Sequence, residues 1–289
     1  MRGHSSTNEL CIRWRYNAGD SAIIWQLMFT DSGNLVGQKR FVLSRRALFF
    51  SIDKITGKVD RDDYLLMDHT HQVPAGEGWF VGLETTHSNL VYCYTHQLES
   101  PEHKGIWAVD FKSDKVVWSR SDIIFSDNIN NEFLVYRLSA FGGFPERHYL
   151  LIDPLTGEDI RHLGLESPTI HAMRQKAESE EKRQKVILPV FVSEVINEQG
   201  EALQRAGIDR HIHSECIVQG HFTIAVLHEQ ADCKGSWHSH LKVWRSDILI
   251  YTTCLEEGVE KPSLNNFLIQ SENLYYLKNK QELVCVTLT

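Results

Sequence analysis

One turn occurs three times in this chain, and it constrains the fold more than any other feature. Residues 48–59 read Leu-Phe-Phe-Ser-Ile-Asp-Lys-Ile-Thr-Gly-Lys-Val. Residues 105–116 read Gly-Ile-Trp-Ala-Val-Asp-Phe-Lys-Ser-Asp-Lys-Val, and residues 149–160 read Tyr-Leu-Leu-Ile-Asp-Pro-Leu-Thr-Gly-Glu-Asp-Ile. Each is an apolar strand, an Asp-x-x-Thr-Gly turn and a second strand. The turn chemistry explains the residues: Asp accepts backbone N–H bonds two residues on, Thr does so more weakly, and Gly takes the positive φ that closes the hairpin. Asp114 stands where the other two copies have Gly, and Asp is among the few residues that tolerate that region. More degenerate copies lie at 240–251 and 274–285. A supersecondary unit that recurs along a chain points to a stacked repeat architecture.

Between these turns the chain is strand after strand, with short β-branched or aromatic runs such as Ala22–Phe29, Leu90–Tyr94 and Phe133–Tyr136. The stretch Ala108-Val-Asp110-Phe-Lys-Ser113-Asp114-Lys-Val-Val-Trp118 resembles the Ala-x-Asp-x-x-Thr-Gly-x-x-x-Trp signature of the quinoprotein-type (PQQ-like) β-propeller repeat, with Ser for Thr and Asp for Gly. The resemblance implies an inter-blade packing role for Trp118. The wider pattern, including Gly78-Trp-Phe-Val-Gly-Leu83 and Pro101-Glu-His-Lys-Gly105-Ile, is similar to an uncharacterised bacterial propeller family, a domain of unknown function; it implies a fold and transfers no catalytic residue. The expectation is therefore an all-β, single-domain β-propeller over residues 1–289.

Four strands around each good turn give blades at 22–66, 78–119, 122–162 and 211–253. The last stretch, 265–288, supplies only three strands, while 9–15 is an orphan strand at the other terminus. Pairing the two closes the ring and leaves no open edge. Residues 163–210 are left over, either an insertion in a five-bladed ring or a degenerate sixth blade, and five blades are preferred. Within this stretch, 172–185 mixes five basic residues with three glutamates around only Ala172, Met173 and Ala177, so an exposed, mobile and protease-sensitive loop is expected, helical at most in part. Residues 194–206 form a candidate surface helix, with Val195, Ile196, Ala202 and Leu203 on one side.

Charge and cysteine usage narrow the function classes. With 30 Lys+Arg against 38 Asp+Glu the net charge is −8, opposite to the basic footprint that a phosphate backbone demands, so nucleic acid is not an expected partner. No run approaches the ~18 apolar residues of a membrane span, and the first residues lack a signal-peptide core. Six scattered cysteines without Cys-x-x-Cys fit reduced thiols and a cytoplasmic protein. Quinone chemistry is not expected, for want of vicinal cysteines and an export signal. There is no Gly-x-Ser-x-Gly, and Gly76-x-Gly78 lacks the third glycine and the following helix of a phosphate loop.

Histidine is the anomalous residue. Fifteen are present, with His-x-His pairs at His69/His71, His211/His213 and His238/His240. If Gln219-Gly220 forms a two-residue hairpin turn, His211 falls opposite His228, and His238 or His240 of the next strand lies on the other flank. His211, His228 and His238 are thus candidate ligands for Zn²⁺, with water or Cys233 as a fourth; no other cofactor is expected. The functional expectation is a non-catalytic binding or scaffold propeller for a protein or small-molecule partner. The alternative is a hydrolase or lyase, metal-assisted or metal-free, with an axial site.

Overall fold

A computed structural model describes residues 10–97, 100–141, 144–192, 198–208, 213–231 and 235–288. Its described residues are overwhelmingly strand, as the runs predict, and they divide into two compact units: Ser21–Gln184, and Met1–Asp20 together with Lys185–Thr289.

In the unit Ser21–Gln184 the strands form three sheets of four consecutive antiparallel strands, every strand beside its sequence neighbour, and a two-stranded ribbon of Met67–Asp68 with Val73–Pro74. Sheet 1 is Ala22–Phe29, Asn34–Phe41, Arg46–Asp53 and Val59–Tyr64. Sheet 2 is Val81–His87, Leu90–Gln97, Ser100–Asp110 and Lys115–Arg120. Sheet 3 is Ile124–Ile129, Glu132–Phe141, Phe144–Ile152 and Asp159–Gly164. These match the boundaries that the repeat suggests. The apolar faces bury against the next sheet: Phe49, Leu83, Val91 and Val109 share one core, and Tyr92, Ile106, Phe133 and Ile152 share the next. The fourth strand of sheets 1 and 3 is mostly exposed.

The repeated turns join the third and fourth strands and have the predicted chemistry. Asp53 Oδ1 accepts from the N–H groups of Ile55 (3.0 Å) and Thr56 (2.7 Å) and from the Thr56 hydroxyl (2.9 Å). Asp110 and Asp153 repeat the pattern. Gly57 and Gly157 have φ of 74° and 73°, and Asp114 holds the same region at 61°. Trp118 reaches from sheet 2 to the turn of sheet 3, where its Nε1–H donates to the Pro154 carbonyl at 2.8 Å. A Cβ on Gly157 would lie 2.7 Å from the Trp118 ring, so this glycine serves both the turn and the indole packed on it.

In the other unit, sheet 4 contains Val190–Val192, His213–Gln219, Phe222–Gln230, Trp237–Arg245 and Ile248–Val259. Sheet 5 runs in the order Ile12–Asn17, Glu282–Thr287, Asn273–Lys278, Phe267–Gln270 and Val186–Ile187. The orphan first strand does pair with the last one, Ile12 opposite Val286 and Asn17 opposite Glu282. Trp14 and Tyr16 are buried there, and the Trp14 and Tyr275 rings are 5.8 Å apart.

For residues 163–210 the sequence leaves an insertion and a degenerate sixth blade open. Among the described residues they build no sheet of their own; they lend a short edge strand to sheet 4 and another to sheet 5. The segment 172–185, expected to be exposed and helical at most in part, has no buried residue and is helical in two pieces. A helix over Pro168–Lys176, capped by Ser167, buries Ile170 against Tyr136, Tyr149 and Leu151. A single helical turn, Glu180–Arg183, follows. Its anchorage is polar, which is why a search for an apolar face missed it. The helix expected near 194–206 is Glu198–Arg205, with Ala202 and Leu203 buried as predicted; Val195 and Ile196 lie outside the described residues.

Candidate functional site

The histidine row has a different register from the one counted. Gly220, with φ 59°, takes the first central position of the hairpin turn, so Gln219 faces Phe222 and His228 lies directly opposite His213, not His211. Moving the turn centre by one residue moves each partner by two and leaves the faces unchanged. His211 and Cys233 lie outside the described residues. His228 is buried in sheet 4, its Nδ1 2.9 Å from Ser239 Oγ and its Nε2 3.4 Å from Glu215 Oε2, close enough for an ion pair without the geometry of a hydrogen bond. Glu215 Oε1 accepts the Asn265 N–H at 2.9 Å. His238 is half-buried opposite Glu229, and its Nδ1 accepts from Gly258 N–H at 3.4 Å. Among the described residues no three His, Cys, Asp or Glu side chains are grouped to hold a metal ion.

A second set of side chains, which sequence reasoning missed, meets on sheets 1 and 2. The first strand of each sheet carries a β-bulge. Ile24 pairs with Lys39 and Gln26 with Gln38, leaving Trp25 as the extra residue; Leu83 pairs with Cys93 and Thr85 with Tyr92, leaving Glu84. Ser126 is the extra residue in the first strand of sheet 3. Bulges re-aim side chains out of the ladder. Trp25 is accordingly 61% exposed despite its place within a strand. Arg40 Cζ lies 5.0 Å from the Trp25 ring and 5.1 Å from the Trp79 ring, within cation–π range of both. Its Nε–H donates to Gln38 Oε1 and one Nη2–H to the Val81 carbonyl, each at 3.1 Å. Burial holds the Arg40 pKa below its ordinary value.

Glu84 is largely buried, and its Oε2 shares a 2.6 Å hydrogen bond with His103 Nδ1. Burial raises the Glu84 pKa above the usual carboxylate value, against the opposing influence of His103. Tyr94 stacks flat on His103, with centroids 3.5 Å apart and planes at 6°. Gly82 makes room for it, since a Cβ there would sit 2.3 Å from Tyr94 Oη. His96 completes the group 5.2 Å from His103, its pKa lowered chiefly by burial. No motif marks these residues in the sequence. Trp25 reads as an ordinary strand aromatic and Glu84 as an ordinary polar position.

A third cluster anchors the short helix. Glu180 Oε2 accepts from Thr85 Oγ1 (2.9 Å) and Asn128 Nδ2 (3.1 Å), and its Oε1 accepts from Arg183 Nη2 and Gln184 Nε2, both at 2.6 Å. Arg183 also donates to the Thr86 carbonyl, and Gln184 Oε1 accepts the Phe29 N–H at 2.9 Å. The segment thereby ties together the ends of the first strands of all three sheets. Its charged groups satisfy one another, which leaves it structural in chemistry.

No curated protein sequence matches this chain. Among solved structures it is similar to the Pyrococcus horikoshii acylaminoacyl peptidase, at 10% identity and a TM-score of 0.30 over 91% of this chain. This chain spans only 37% of that peptidase's length. It is also similar to the β-propeller domain of the Trilobed protease from Pyrococcus furiosus (11% identity, TM-score 0.31, 92% of this chain and 67% of that one). An oligogalacturonate lyase in complex with manganese is similar at 12% identity and a TM-score of 0.32, over 94% of this chain and 67% of that one. In sequence, residues 31–118 match a family described as a domain of unknown function, DUF4905.

Proposed function

We propose that the chain is a five-bladed β-propeller that works as a non-catalytic binding module, with its ligand face on the Trp25–Arg40 cluster. The fold reading rests on the repeated turn, the five sheets of four or five strands among the described residues and the pairing of the first strand with the last. One observation carries the function: a bulge pushes a large indole into solvent beside a half-buried guanidinium that has no carboxylate partner among the described residues. An exposed indole beside a guanidinium with N–H donors to spare is an arrangement that can take an anion borne on an apolar body.

The alternative, a hydrolase or lyase, is favoured by Glu84 and His103. A carboxyl whose pKa is raised by burial, 2.6 Å from an imidazole, is a pair that can hold and pass a proton. The two readings separate in one experiment. The full chain and its Trp25→Ala/Arg40→Gln variant are incubated with pools of small metabolites, and both the melting temperature and the pool's NMR spectrum are followed. Under the binding reading the wild type is stabilised by some pool, the variant is not, and the pool's composition stays constant. Consumption of a pool member that Glu84→Gln abolishes would establish the enzyme instead.

A further inference from the structure

We infer that the Arg40 site takes a carboxylate carried on a ring, an acidic sugar or an aromatic acid; this deepens the binding reading above and rests on it. Arg40 has five N–H donors and spends two of them on Gln38 and the Val81 carbonyl. Three, at the Nη1–Nη2 end of the guanidinium, have no partner among the described residues. That end is planar and bidentate, matched to a carboxylate.

The rest of the site limits the ligand's charge and shape. Among the described residues of the cluster, Arg40 is the one guanidinium. His96 is held toward its neutral form chiefly by burial, and His103 already faces Glu84. One fixed cation in a chain of net charge −8 suits a monoanion better than a phosphate dianion. The guanidinium lies over the Trp25 ring at 5.0 Å, and the indole is still 61% exposed, so a ligand that pairs with Arg40 has open apolar surface beside it for whatever bears its carboxylate. A ring fills that surface, through either its face or its C–H edge, and a short acyclic acid does not.

Titration calorimetry on the full chain tests this with benzoate, glucuronate, acetate, glucose and inorganic phosphate as probes. Benzoate or glucuronate should bind, and whichever does so identifies the source as aromatic acid or acidic sugar. Acetate, glucose and phosphate should bind at least about tenfold more weakly. Arg40→Gln should cost about tenfold or more and Arg40→Lys most of that, because a lysine keeps the charge and loses the fork. Trp25→Ala, a change at an exposed side chain that leaves the fold intact, should also weaken binding several-fold. The inference is overturned if neither ring-bearing acid binds, if acetate or phosphate binds as well as they do, or if Trp25→Ala binds like the wild type. NMR of the titrated ligand separates the two proposals: binding with slow disappearance of the ligand keeps this inference and removes the non-catalytic reading. Absence of binding removes this inference, and the pool experiment still decides the other.

Discussion

Trp25 and Glu84 hold the same place in two successive sheets: each is the extra residue of a β-bulge in the first strand, displaced from the ladder that its neighbours keep. The repeat has fixed the distortion and varied the side chain. In sheet 1 the displaced residue is an exposed indole beside Arg40; in sheet 2 it is a buried acid bonded to His103. A repeated scaffold can thus carry different chemistry at one structural position.

Gly82→Ala should destabilise the protein by about 1–3 kcal/mol, the usual scale for overpacking. The added Cβ would meet Tyr94 Oη at 2.3 Å and drive the ring off its stack on His103. Urea unfolding checks it, and the steric part of the cost should vanish when Tyr94→Ala is already present, giving strong non-additivity.

Trp14→Ala should cost about 3–5 kcal/mol. Trp14 is 7% exposed and packs on Tyr275 across the pairing of the first strand with the last. A melting temperature within a degree of wild type would mean that this pairing contributes little.

Glu180→Ala should leave Arg183, Thr85 and Asn128 without their shared acceptor, at about 1–3 kcal/mol. It should also change the pattern of proteolysis. Trypsin should spare Lys182, Arg183 and Lys185 in the native protein and cut there early in the variant. Early cleavage of the wild type at these positions would show that the polar anchorage is weak.

Asp122 links stability to pH. Hydrogen bonds from Arg120 above all, and then from Arg137, lower its pKa to about 2. A carboxyl depressed in the folded state stabilises it above the unfolded value near 4, and that contribution is lost as pH falls from about 4 through about 2. Asp122 is half exposed, so the effect is about 1 kcal/mol or less. Asp122→Asn should be less stable than wild type at neutral pH, and the gap should close by about pH 2 in acid denaturation curves.

What the sequence alone determined is what its residues decide among near neighbours. Asp53, Asp110 and Asp153 bind N–H groups two and three residues away, so their turns could be read directly and the strands counted outward from them. That counting also placed residues 9–15 beside 282–288, where Ile12–Asn17 and Glu282–Thr287 pair, because a three-stranded remainder and an orphan strand complete each other. Tertiary structure decided the rest. A bulge is one residue out of register and depends on the partner strand, so neither Trp25 nor Glu84 carries a mark of it. One residue's difference in a turn centre set His213 opposite His228. Glu180 lies in a charged stretch that offers no apolar periodicity, and its partners Thr85 and Asn128 are far away in sequence. Hydrogen bonds between distant polar side chains have no periodicity to read, and they become definite only when packing brings donor and acceptor together.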